Sequence, residues 1–213
     1  IAMKTLKTLL LFSCFIGLLS ACAAASADET IYFRGKSFQD KRDGIQVIRP
    51  ESPAGDEFFT ISSSRFHYFL VLPYADEWVF TLDDTSMLRG TSGAFNVTLL
   101  AREGDETPEQ VLKHHKSYIL SNPTIKGIKE IEIIEHGGIS VLRNTVDLEA
   151  LSGLEKYRGF EIRHFFVARK WKRELFLLHL SKTVSPGEAF LEDKYLFMLT
   201  RGFDVDFMRE GEQ

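Results

Sequence analysis

Cysteine is nearly absent: 213 residues hold two, Cys14 and Cys22, both near the N-terminus. No thiol is therefore left along the rest of the chain for a disulfide, a zinc–thiolate site or a cysteine nucleophile. An excess of basic charge is lacking too. The 26 Lys and Arg face 30 Asp and Glu, for a net charge of −4. That argues against a dedicated nucleic-acid binder, which needs a basic face to displace counterions from phosphate. The phosphate-cradling patterns Gly-x-Gly-x-x-Gly and Gly-x-x-x-x-Gly-Lys do not occur. Ser62-Ser63-Ser64 and Ser152-Gly153 lack the Gly-x-Ser-x-Gly elbow of serine hydrolases. No internal repeat is visible. What is plentiful is apolar and aromatic side chain: 44% hydrophobic and 12% aromatic content, with 18 Phe. This is enough for one substantial core in one domain, and no motif in the chain calls for a cofactor.

The N-terminal segment reads as an address. Lys4 and Lys7 give a short cationic start, and Leu9 to Leu19 follows as an apolar run well below the roughly 20 residues of a membrane-spanning helix. This is the pattern of a secretory signal. It ends in Leu19-Ser20-Ala21-Cys22, which resembles the lipobox of bacterial lipoproteins. The resemblance implies cleavage after residue 21 and acylation of Cys22, anchoring the chain to a lipid bilayer. Several acyl chains at about 0.8 kcal/mol per buried methylene hold far more firmly than one. Residues 22–43, beginning with the small, polar run Ala23 to Thr30, read as a tether. Ala23 after the cysteine resembles an outer-membrane sorting signal, if the source is Gram-negative. The expected location is the cell envelope, facing the periplasm.

Residues 44–213 read as the folded domain. Gly44–Arg49, Phe58–Ile61, Phe66–Leu72, Trp78–Leu82 and Gly93–Ala101 are β-branched or aromatic runs bounded by Pro and Gly, and they predict strands. Thr107-Pro108-Glu109-Gln110 is a capping box with Pro at the first helical position. Val111, Leu112, His115, Tyr118 and Ile119 follow at helical spacing up to Asn122-Pro123. Two hairpins come next: Ile128–Ile134 with Ile139–Leu148 across Gly137-Gly138, and Phe160–Ala168 with Glu174–Lys182 across Arg169–Arg173. Ser185-Pro186-Gly187-Glu188 repeats the cap chemistry before a final helix that runs to Arg201. In the second hairpin, opposite charges set the predicted register: Glu161 against Lys182, Arg169 against Glu174, and hence His164 against His179. Both faces of that hairpin are apolar, so both must be covered. The fold class is α+β, an antiparallel sheet with helices on both faces. The early strands with Leu72-Pro73-Tyr74-Ala75-Asp76-Glu77-Trp78, the capped helix, the long-stranded meander and the closing Leu199-Thr200-Arg201-Gly202-Phe203 resemble the PsbP-like fold. That resemblance implies an α-β-α sandwich that binds or helps assemble protein complexes, and it carries no catalytic residue to a numbered position.

Three features could carry function. Arg169-Lys170-Trp171-Lys172-Arg173 is the concentrated basic cluster, suited to anionic headgroups or to an acidic patch on an envelope protein. The other reading is a solvated turn. His164 and His179 could share a metal or a proton, against two packed core imidazoles. The aromatic excess could line a cleft for a small apolar ligand. His114 and His115 lack the one-turn spacing of a helical zinc pair and read as solvent-facing and core residues respectively, while His136 reads as turn chemistry. Glu130 and Glu132 read as the wet face of a strand. Asp83-Asp84 and Asp204-Val205-Asp206 lack the ligand run of a calcium loop.

Overall fold

The computed structural model describes residues 29–33, 38–40, 45–48, 58–63, 67–73, 77–82 and 88–205. The segment read as a signal, Cys22 and Asp83-Asp84 lie outside them. Thirteen strands form two antiparallel sheets among these residues. The larger sheet contains β1 (Glu29–Phe33), β6 (Trp78–Leu82), β7 (Leu88–Ser92), β8 (Phe95–Glu103), β9 (Ile128–His136), β10 (Ile139–Asp147), β11 (Glu161–Trp171) and β12 (Glu174–Val184). Its order is β1-β6-β7-β8-β12-β11-β10-β9. The smaller contains β2 (Phe38–Asp40), β3 (Ile45–Ile48), β4 (Phe58–Ser63), β5 (Tyr68–Pro73) and β13 (Phe203–Asp204), in the order β13-β5-β4-β3-β2. The helices are α1 (Pro108–Ser121), the short α2 (Leu148–Ser152) and α3 (Glu192–Arg201).

Local chemistry explains most of these boundaries. Thr107 caps α1 by accepting from the Gln110 amide, and the Gln110 side chain accepts from the Thr107 amide at 2.7 Å, closing the capping box. The first hairpin turns on Gly137 and Gly138, at φ +60° and +79°. In this left-handed region glycine carries no Cβ penalty.

Four expectations are corrected. The stretch read as tether, 22–43, contains β1, paired with β6, and β2, paired with β3. The domain therefore starts upstream of Gly44. Second, the long hairpin turns on two residues, Lys172 and Arg173, not five, with Lys172 at φ +53°. Its register is Glu161 opposite Val184, Arg163 opposite Lys182, Phe166 opposite His179 and Trp171 opposite Glu174. A tight turn and a continuous backbone ladder outweigh two surface charge pairs, each worth about 0.2–1 kcal/mol. The shift is two residues, so every side chain keeps the face it was given. Third, α3 begins at Glu192, not after Ser185. Gly187 at φ +77° is incompatible with a helix, and Glu188 closes the turn by accepting from the Ser185 amide at 3.0 Å. Fourth, the two faces of the large sheet are covered differently. One packs against α1, joining Val111, Leu112 and Ile119 to Leu142, Phe166, Ala168 and Leu175. The other packs against β4 and β5 as well as α3, joining Phe165, Val167, Phe176 and Leu178 to Phe59, Leu70, Leu196 and Leu199. A second sheet thus takes much of the face that the sequence pattern assigned to a helix.

Register also creates a conflict that the fold resolves. Arg163 and Lys182 stand directly opposite, and like charges so placed repel. Arg163 donates to Thr145 at 3.0 Å and to Glu161 at 2.6 Å, Lys182 is paired with Glu188, and both cations lie over the Phe190 ring. The Lys182 hydrogen bond holds the Glu188 carboxyl below its ordinary range.

Candidate functional site

Strand alternation places His164, Phe166 and Ala168 of β11 on the face under α1, together with Leu177 and His179 of β12. Phe166, not His164, is the direct partner of His179. His164 sits on the diagonal, and its Nδ1 lies 3.0 Å from His179 Nε2. The ring centroids are 5.2 Å apart with planes at 20°. A centroid separation that much larger than the N···N distance means that the rings meet end to end, nearly coplanar. That geometry suits one N–H donating along the line to the other nitrogen. A shared metal would require both lone pairs to converge on a point off that line.

His115 completes the cluster from above. Its ring lies 4.4 Å from Phe166, whose other neighbour is the His179 ring at 4.3 Å and 8°. Asn144 and Ser181 flank His164 in the same cross-strand row, at 3% and 4% exposure. Desolvation pushes the pKa of His115 and of His164 down from 6.5 to about 4. Burial first, then the neighbouring imidazoles, pushes His179 well below 6.5. The three rings are therefore neutral near pH 7, and the pair stores one proton between two nitrogens away from solvent. The adjacency of His114 and His115 gave no hint of this cluster. His114 is exposed and meets Glu106 at 2.8 Å, whereas His115 faces the sheet. The signal for His115 was its place on the apolar stripe of α1.

The basic cluster is divided by the same alternation. Arg169 and Trp171 point toward α3, and Lys170 points toward α1. Arg169 donates to Thr200 O, a carbonyl in the last turn of α3, at 2.8 Å and to Phe203 O of β13 at 3.3 Å. Lys170 donates to Glu106 O at 2.9 Å. Lys172 Nζ lies 4.1 Å from the centroid of the Trp171 ring, and Arg173 is 3.6 Å from Asp105. Only Lys172 and Arg173 are exposed at the turn.

What the hairpin end forms with its neighbours is a cleft. A space of about 420 Å³, open on one side, is walled by Arg169, Trp171, Arg201, Phe203 and Asp204, with Gly137 and Ile139 at the tip of the first hairpin. His136, read as turn chemistry, sits beside this wall. Its Nδ1 is 3.1 Å from Thr200 Oγ1, which itself donates to Leu196 O at 2.8 Å, so the imidazole donates here. The Arg201 guanidinium lies against Gly137, where an added Cβ would meet it at 3.6 Å. Glu130 and Glu132, read as a wet face, are 44% and 42% exposed and also hold Arg143, which reaches Glu192 of α3 at 2.6 Å.

The aromatic excess is spent largely on packing. Trp78 and Phe80 stack at 5.4 Å, Phe190 and Tyr195 at 5.0 Å, and Phe95 bridges the two pairs. Among the described residues, no three His, Cys, Asp or Glu side chains converge as a ligand set. None of the helices there is long and apolar enough to cross a membrane.

No family model matches the chain, and no curated protein matches it. Among solved structures, it is similar to the solution structure of cyanobacterial PsbP (CyanoP) from Synechocystis sp. PCC 6803 at 11% identity, covering 89% of this chain and 99% of that one with a TM-score of 0.39. It is also similar to the crystal structure of LpqN, involved in cell envelope biogenesis of Mycobacterium tuberculosis, at 11% identity, covering 85% and 92% with a TM-score of 0.38.

Proposed function

We propose that this chain is a lipid-anchored envelope protein, held by an acylated Cys22, whose PsbP-like sandwich works by binding a partner protein at the cleft beside Trp171. Catalysis has no part in this reading. Its anchor rests on Leu19-Ser20-Ala21-Cys22, the pattern that a lipoprotein signal peptidase and an acyltransferase both require. Its binding surface rests on one observation: Arg201, Trp171 and Phe203 line an open cleft of about 420 Å³. An exposed guanidinium beside aromatic walls is the composition that interface hot spots favour, and a cleft open to solvent accepts a protein segment more readily than it encloses a small molecule. The histidine cluster does not belong to this surface; it is buried under α1 and sets the packing there. The domain faces the periplasm, on the outer membrane if the source is Gram-negative.

The test is site-specific photocrosslinking in intact envelopes, with the crosslinker at Arg201 and a control at exposed Lys113. A discrete adduct from position 201 that is lost with Trp171→Ala supports the reading. Identical adducts from both positions, or an adduct insensitive to Trp171→Ala, overturn it.

A further inference from the structure

β9 ends the larger sheet, and among the described residues its outer edge pairs with nothing. A nine-residue strand with free N–H and C=O groups is a template for another strand, and proteins ordinarily guard such an edge with charges standing across it. Of the charges on β9, Lys129, Glu130 and Glu132 stay 46%, 44% and 42% exposed, and each also has a partner within its own sheet. Lys129 Nζ lies 3.0 Å from Glu161 and 3.4 Å from Asp147. Glu130 and Glu132 close on Arg143, and Glu135 accepts from Ser140. The first hairpin turns on two glycines, so no long loop shields the edge. What it presents is Ile128, Ile131, Ile133 and Ile134, all only partly buried.

We propose that β9 is a self-association edge, joining two copies of this chain into one continuous antiparallel sheet with eight strands from each. Antiparallel partners must share a face. A two-fold axis normal to the sheet therefore sets one residue of β9 opposite itself, and near the middle of the strand that residue is Ile131, Glu132 or Ile133. Centring on Ile131 sets Glu130 against Glu132 twice. Centring on Ile133 sets Ile131 against Glu135 twice. Centring on Glu132 also sets Glu130 against Ile134 twice, but it alone sets Ile131 against Ile133 twice and brings Lys129, the extra residue where the pairing of β9 with β10 shifts register, toward Glu135 of the second copy twice. Its one like-charge contact, Glu132 with itself, falls where each carboxylate already holds its own Arg143. The occupant the edge fits is a second copy in this register.

The test uses the full chain in membranes, read by non-reducing electrophoresis. Glu132→Cys places two thiols opposite each other and gives a disulfide-linked dimer. Glu130→Cys, two residues away along antiparallel strands, gives none. Adding Lys129→Glu to Glu132→Cys sets acid against Glu135 and reduces the crosslinked fraction at least several-fold, and Lys129→Glu with Glu135→Lys restores it, which separates pairing from a loss of folding. No dimer from Glu132→Cys, equal dimer from both cysteine variants, crosslinks to a different protein only, or a dimer indifferent to Lys129→Glu would each overturn the proposal.

Discussion

His164 Nδ1 and His179 Nε2 lie 3.0 Å apart on one sheet face, both neutral, beneath a third imidazole carried by α1. This arrangement holds one proton between the pair and has no room for a second. Protonation of the accepting ring would turn its acceptor into a donor and set two N–H groups against each other under a helix, and protonation of the donating ring would bury an unpaired charge there.

The resulting pH dependence has a definite sign. The folded-state pKa values of His115 and His164 are depressed to about 4, below the 6.5 of the unfolded chain. Between those values the unfolded state binds more protons, so stability rises with pH. The contribution is fully present above pH 6.5 and is lost as pH falls toward about 4. Within that window each group costs roughly 1.4 kcal/mol per pH unit. Urea midpoints measured from pH 7 to pH 4 should fall steeply, and His164→Leu with His179→Phe should flatten that fall. A parallel fall in the double variant would place the acid sensitivity elsewhere.

The basic cluster is not a set of equivalent charges. Arg169→Met removes the donor to Thr200 O in the last turn of α3 and to Phe203 O of β13. A destabilisation of about 1–3 kcal/mol is expected. Lys172→Ser with Arg173→Ser changes the exposed turn and should stay within about 0.5 kcal/mol of the parent. Denaturant midpoints of the two variants decide the matter, and equal losses would contradict the division.

Gly90 is required by close approach. It pairs with Phe80 across β6 and β7, and a Cβ there would lie 2.6 Å from the Phe80 ring and 2.8 Å from Val97. Phe80 cannot yield, because its other face is stacked on Trp78. Gly90→Ala should cost about 1–3 kcal/mol through overpacking. A melting temperature unchanged from the parent would show that the stack is looser than described.

Much of this architecture was legible in the chain. The capping box at Thr107, the glycine turn at Gly137-Gly138 and the two greasy faces of the long hairpin are local chemistry, and local chemistry is what sequence displays. The register of that hairpin was not. Opposite charges at Glu161 and Lys182 pointed to one pairing, while the two-residue turn at Lys172-Arg173 selected another, and nothing local announces which is stronger. The strands β1, β2 and β7 escaped because they are short or polar and become strands only through the neighbours they pair with, β1 and β7 in the larger sheet and β2 in the smaller. The candidate site split in the same way. The proximity of His164 and His179 survived a two-residue error because the error preserved their face. The cleft could not be read at all, since it joins Arg169 and Trp171 to Arg201 and Phe203, some thirty positions further along the chain.

The proposed anchor at Cys22 would fix where the domain works and hence which partners it can meet. Metabolic labelling with an alkyne fatty acid, followed by fractionation of cells expressing the chain or its Cys22→Ser variant, tests this most directly. The account predicts label on the parent chain in the membrane fraction and its loss with the substitution. A parent chain that is unlabelled and fully soluble, or labelling that persists without Cys22, would contradict it.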